Sequence, residues 1–146
     1  MFADLLRRMT APAPAPLSDP DARLALAALL VRVARSDGYY ADSEAQTITQ
    51  LLSDRYALDI TAARDLRKNA ETLESEAPDT VRFTRAIKDA VAHEKRLSVL
   101  EALWSVALAD GERDAGEDSQ LRLMSNLLGL SDVDSARARQ KATQSL

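Results

Sequence analysis

The sequence predicts an all-α fold, a helical bundle of about seven helices built from two duplicated helix–loop–helix units with pseudo-two-fold symmetry. Three observations carry this reading. Ala, Leu and Arg dominate while Gly is rare, only 4 in 146 residues, which favours helix over strand. Apolar residues recur with a helical period along most of the chain, and no useful length alternates with period two. Two stretches 73 residues apart also match in register without a gap.

Each element follows from local chemistry. MFADLLRRM (1–9) makes a short amphipathic helix with Phe2, Leu5, Leu6 and Met9 on one side. Residues 10–18 alternate Ala and Pro, cannot be helical, and form an extended spacer. A single domain then spans 19–146, with repeat units at about 20–75 and 94–146. Ser18 or Asp19 caps its first helix, and Pro20 sits in the first turn, where the missing N–H is no loss. This helix, about 20–37, is apolar almost all round (Leu24, Leu26, Leu29, Leu30, Val31, Val33) and belongs at the centre of the core.

A second helix covers about 42–54 with Ile48, Leu51 and Leu52 inward. Asp59 or Thr61 opens a third, which runs to about 75 and is broken by Glu76-Ala77-Pro78. Asp79 caps a fourth through about 91. The fifth, about 94–110, is again apolar on most sides (Leu97, Val99, Leu100, Leu103, Trp104, Val106, Leu108). A sixth spans about 115–128 and is stopped by Gly129. Ser131 or Asp132 caps the last helix, which is expected to fray in the polar tail ARQKATQSL.

Composition excludes several classes of function. Cysteine is absent, so there is no disulfide scaffold, thiolate metal site or Cys nucleophile. His93 is the single histidine, which disfavours zinc. Nothing is spaced as a catalytic triad, and no Gly-rich phosphate loop occurs. The longest apolar run, 24–33, is broken by Arg32 and is too short to span a bilayer. Asp4 and the lack of an apolar h-region argue against a secretory signal.

The net charge of −4 is mild but unevenly placed. DGERDAGED (110–118) has five acids and one Arg, and SDGYYADSE (36–44) has three acids and no base. These segments carry −4 and −3, which leaves +3 for the rest of the chain. No basic stripe suits a nucleic acid.

The two acidic segments sit at equivalent places in the repeat. Arg23 to Leu51 aligns on Arg96 to Met124, with eight of 29 positions identical: Arg23/Arg96, Leu24/Leu97, Leu30/Leu103, Val33/Val106, Ala34/Ala107, Asp37/Asp110, Gly38/Gly111 and Glu44/Glu117. Unrelated amphipathic helices share apolar phase, but they rarely also share Asp-Gly and Glu in register. Neither unit is large enough to bury its own apolar face, so each is expected to pack on the other.

A buried helix ending in Ala-x-x-Asp-Gly, a short loop, a Glu and a second amphipathic helix resembles the TerB-like domains. These are named from the tellurite-resistance protein TerB, and a related module occurs in a membrane-anchored J-domain co-chaperone. The resemblance covers about 19–134. It implies a small, all-helical, cytoplasmic, non-enzymatic domain associated with tellurite and other chemical stress, with acidic residues suspected of binding metal. The matching positions are Asp37, Gly38 and Glu44, then Asp110, Gly111 and Glu117. The family usually has an aliphatic residue two places after the Gly, where this chain has Tyr40 and Arg113.

Two readings of the acidic corners stand side by side. In the first they are architecture. Gly38 and Gly111 end helices in the left-handed conformation, and Glu44 and Glu117 meet the positive end of the next helix. Asp114 to Glu117 even has capping-box spacing. In the second reading the corners hold a hard divalent cation, Ca²⁺ or Mg²⁺, on carboxylate oxygens. Asp110, Glu112, Asp114, Glu117 and Asp118 form the richer set; Asp37, Asp42 and Glu44 form the poorer one. The spacing is not that of an EF-hand.

If the acids are only caps, the chain reads as a helical adaptor for a protein partner. In that case the N-terminal segment could tether it to the partner, or peripherally to the inner face of a membrane, though it is too short to anchor alone. Trp104 is expected in the core, and Tyr39 and Tyr40 are expected to pack over their loop, with a partner contact as the alternative.

Overall fold

The computed structural model describes residues 5–7, 19–35, 40–76, 84–85, 87–89, 91, 93–109 and 115–144, with backbone only for 19, 93, 94 and 115–120. Six substantial helices make up the fold, and no strand occurs among the described residues. They are α1 (Asp19–Ala34), α2 (Asp42–Tyr56), α3 (Ile60–Glu76), α4 (His93–Ala107), α5 (Ala115–Leu127) and α6 (Asp132–Gln144). Helical residues at 84–85 and 87–89 fall inside the predicted fourth helix, and residues 5–7 fall inside the N-terminal one. None of the helices is long and apolar enough to cross a membrane among the described residues.

The core follows from α1 and α4. Every residue from Ala25 to Val31 is buried, as are Val99, Leu100, Leu103, Trp104 and Val106 on α4. A helix apolar on most sides cannot stand alone in water, so both must be wrapped by other elements, with Ser98, Glu101 and Ser105 left half-buried on α4. These two helices pack on each other at the centre. α3 and α2 cover α1, and α6 and α5 cover α4. The covering helices are amphipathic and contribute single stripes: Ile48 and Leu52 from α2, Ala63, Ala70 and Leu73 from α3, and Leu121, Met124 and Leu128 from α5. Leu5 joins this core and Leu6 packs against it, so these two leucines lie on the body of the protein.

The helix ends show which local signals operate. Asp59 caps α3, its Oδ1 accepting the Ala62 N–H at 2.8 Å. Ser131 caps α6 reciprocally: its Oγ accepts the Asp134 N–H, and Asp134 Oδ2 accepts the Ser131 N–H, both at 3.1 Å. That is a capping box with Asp in the Glu position. Gly129, at φ +79°, ends α5. The Leu130 N–H bonds to Ser125 O and the Gly129 N–H to Asn126 O, a Schellman pair with Leu130 buried beyond it.

Three ends differ from the sequence expectation. α1 is helical to Ala34, three residues short of Asp37, with Arg35 in a turn. α4 is helical to Ala107 instead of 110, because its end tightens: the Ala109 N–H bonds to Val106 O three residues back. The last helix does not fray in its polar tail. It continues to Gln144 because Ala138 and Ala142 are buried against the bundle, and small residues let it approach closely.

The end of α2 was not visible in the sequence. Ala57 adopts φ +53°, a left-handed conformation in which its Cβ crowds the backbone. It closes the helix through bonds to Ser53 O, while Ser53 Oγ donates to Leu58 O at 2.7 Å. Because Ala57 is exposed, Ala57→Gly relieves the strain without opening a cavity. Urea unfolding of this variant is expected to show a gain of about 0.5–1 kcal/mol. Gly129→Ala is expected to lose a similar amount, and no change in either variant would refute this account of the two caps.

Candidate functional site

The first acidic corner connects α1 to α2, and the structure gives its Glu a definite task. Glu44 is only 2% exposed. Its Oε1 accepts the Ala41 N–H at 3.0 Å, satisfying an N–H group that the start of α2 would otherwise leave bare. Ala41 has no side-chain acceptor, so only the Glu half of a capping box forms here. Asp42 stands exposed at the first position of α2, next to that cap. Asp37 and Gly38 lie outside the described residues.

Beside this corner lies a polar cluster that ties α1 to α3. Arg32, in the last turn of α1, is largely buried. Its Nε reaches Glu74 Oε1 at 3.4 Å, and its Nη2 donates to Glu74 O at 3.3 Å. Arg35 Nη1 donates to Glu74 Oε2 at 2.6 Å and to Glu71 O at 3.2 Å. Tyr40, on the far side of the loop, donates its hydroxyl to Glu71 Oε2 at 2.6 Å, and its ring lies 5.3 Å from the Arg35 guanidinium carbon. Both ends of the loop are therefore fastened to the same turn of α3.

Arg67 completes the cluster. Its Nη1 donates to Thr49 Oγ1 at 3.1 Å, joining α3 to α2. Its Nε lies 3.6 Å from Glu71 Oε2, close enough for ion pairing but too far for a good hydrogen bond. Burial, reinforced by the hydrogen bond to Glu71 and its charge, pushes the Tyr40 phenol well above its usual range.

The second acidic corner falls between α4 and α5. Asp110, Gly111, Glu112, Arg113 and Asp114 lie outside the described residues. Glu117 and Asp118 lie in the first turn of α5, with only their backbone described. Among the described residues, no group of three or more His, Cys, Asp or Glu side chains is placed to hold a metal ion. Trp104 lies near this end of α4. It is 5% exposed, and its Nε1 donates to Ser135 Oγ of α6 at 3.2 Å.

A cleft of about 420 Å³ opens between α1, α2, α4 and α6. Its floor is apolar, with Leu26, Leu30, Leu52 and Ala142. Its rim carries both signs of charge. Arg55 donates to Ser98 Oγ at 3.0 Å, Asp54 accepts from Gln50 at 2.9 Å, and Lys141 lies 3.5 Å from Glu101.

Sequence reasoning missed the polar cluster and this cleft. A partial signal existed for the cluster: Arg32 interrupts the most apolar run, and Arg67, Glu71 and Glu74 fall at i, i+4 and i+7 on one helix face. It did not reveal that Arg32 and Glu74 meet across 42 residues of chain.

The description "Tellurite resistance protein TerB" matches residues 23–140, from the second turn of α1 to near the end of α6. No curated protein and no solved structure matches the chain.

Replacing Tyr40 by Phe removes a hydrogen bond to a charged, half-buried carboxylate, and is expected to cost about 1–2 kcal/mol at neutral pH. The pH dependence has a definite sign. The folded phenol titrates above its ordinary 10.0, so its contribution is complete below pH 10 and is lost as pH rises through the raised value. Thermal melts from pH 7 upward should therefore show wild type losing stability more steeply than Tyr40→Phe in the alkaline range. Tyr56 is also raised, by burial, and leaves some slope in the variant. Parallel curves for the two proteins would contradict the proposed bond.

Proposed function

The chain belongs to the TerB family, and on that premise we propose that it is a non-enzymatic, cytoplasmic module of the tellurite and chemical stress response, binding a divalent cation at its second acidic corner. The observation that carries this is the placement of charge. Residues 110–118 carry −4, as much as the whole chain. Carboxylates crowded on a short loop repel one another unless a cation offsets them. Asp110, Glu112, Asp114, Glu117 and Asp118 supply hard oxygen donors of the kind Ca²⁺ and Mg²⁺ take.

The first corner has the other role in this reading. Its Glu44 is buried and bonded to the backbone at Ala41, and Arg35 and Tyr40 bind α3 from either side of the loop. Asp37, Asp42 and Glu44 then serve the architecture of the α1–α2 connection. We read the two units as duplicates of which one keeps the loop as a joint and the other uses it for binding.

A second reading, a structural adaptor whose acidic corners are only caps, is favoured by the cleft between α1, α2, α4 and α6. Its leucine floor and rim of both charges suit an amphipathic segment of a protein partner.

Calorimetric titration of Ca²⁺, Mg²⁺, Mn²⁺ and Zn²⁺ into wild type and Asp110→Asn/Glu117→Gln separates the two readings. The cation reading expects submillimolar binding of Ca²⁺ or Mg²⁺ by wild type, lost in the variant. A saturating metal at about a hundred times Kd should also stabilise the wild type by about 2.7 kcal/mol. No binding below millimolar would leave the adaptor reading. Equal binding by both proteins would place the cation elsewhere.

A further inference from the structure

A second pocket of about 430 Å³ lies between α4, α5 and α6, and its chemistry differs from that of the acidic corners. Trp104 forms part of its wall, together with Arg122 of α5 and Arg139, Gln140 and Thr143 of α6. The Arg139 guanidinium carbon lies 5.4 Å from the centre of the Trp104 ring. Neither Arg122 nor Arg139 forms an ion pair among the described residues. Among the described residues, Asp132 is the one acid lining the pocket. Two arginines in one concavity of an acidic protein, with a single acid beside them among the described residues, call for an explanation.

The first half of the molecule supplies one. Counted from its capping residue, Arg139 is eight positions beyond Ser131, as Arg67 is eight beyond Asp59. Thr143 is twelve beyond Ser131, as Glu71 is twelve beyond Asp59. Arg122 is seven beyond the start of α5, as Thr49 is seven beyond the start of α2. In the first half these positions form a closed set: Arg67 pairs with Glu71 and donates to Thr49. In the second half the acid is replaced by Thr143 and the threonine by Arg122. No acid stands at these compared positions, and a second guanidinium has been added. Trp104, three residues before the end of α4, likewise replaces Val31, three before the end of α1. A concave space opens beside these replacements.

We propose that this pocket binds a small organic anion, whose carboxylate or phosphate occupies the role that the Glu71 carboxylate fills in the first half. Guanidinium forks suit both groups, which they can grip through two parallel hydrogen bonds. The hydroxyl of Thr143 and the amide of Gln140 are polar partners for the rest of the molecule. The volume is that of a small-ligand site and exceeds the needs of a bare ion.

Trp104 is the sole tryptophan of the chain, so intrinsic fluorescence reports from the pocket wall. Inorganic phosphate, phenyl phosphate and benzoate are titrated separately at constant ionic strength, with calorimetry as a second readout. A saturable change with phenyl phosphate or benzoate is expected. The tighter of the two identifies the anionic group, and tighter binding than inorganic phosphate shows that the organic part is read. Arg122→Ala and Arg139→Ala should each weaken binding about tenfold or more, by loss of a charge-assisted hydrogen bond. Arg137→Ala, exposed on α6 outside the pocket, should leave it unchanged. Thr143→Glu restores the missing acid one turn from Arg139 and should abolish binding while the helical circular dichroism spectrum is retained. Absence of saturation up to tens of millimolar would overturn the proposal. So would equal weakening by Arg137→Ala, or unaltered binding by a folded Thr143→Glu protein.

Discussion

Two central helices that are apolar on most sides govern this structure. α1 and α4 are buried over their central and C-terminal turns except for a few half-buried positions, and a helix of that kind is stable in water only when most of its surface is covered. They can cover each other along one side only. The rest must come from amphipathic helices that lend one stripe each: α3 and α2 cover α1, while α6 covers α4 with smaller shares from α2 and α5. The acidic corners follow from this arrangement. A connection from a buried helix to a covering helix must pass at the end of the bundle, where backbone groups need caps and water is near.

Arg32 is the main departure from that apolar rule, and it shows how the fold accommodates a charge. A guanidinium on the central helix is costly to bury unless an acid meets it with good hydrogen bonds. Glu74 meets it through both a carboxylate oxygen and its backbone carbonyl. The same carboxyl group also takes Arg35, which brings in the neighbouring turn of α3. Glu71 then takes Tyr40 from beyond the loop. One buried charge is thereby linked to the position of the first corner, and the loop between Arg35 and Tyr40 is short enough that both anchors act on it. The cluster makes this corner a joint between three helices.

Arginines at equal distances from their helix caps meet different chemistry in the two parts of the chain. Arg67 and Arg139 stand at the same distance from their caps, yet one is enclosed by Glu71 and Thr49 and the other faces an open pocket beside Trp104. Satisfied polar groups rigidify, and the first half is fastened in that way, whereas the pocket beside Trp104 presents two guanidinium groups on α5 and α6.

The sequence by itself determined the elements and their order. The helical period located the six helices, and the all-round apolar runs identified the two central ones. Short-range chemistry located Gly129 as a stop and narrowed two caps to Asp59 or Thr61 and to Ser131 or Asp132, because each acts on backbone within four or five residues. The Asp-Gly and Glu pattern was enough to indicate the family. Tertiary structure decided what those elements do together. That Arg32 meets Glu74 and Tyr40 meets Glu71, 42 and 31 residues apart, depends on the axial register between packed helices, which periodicity leaves free. The last helix persists through its polar tail because Ala138 and Ala142 are buried, and two alanines in a charged segment give no local signal of that. Arg122 and Arg139 look like ordinary solvated arginines in the chain. Only the packing of α5 and α6 around Trp104 places them in one pocket, since charge and shape become a site when distant segments are held at a fixed distance.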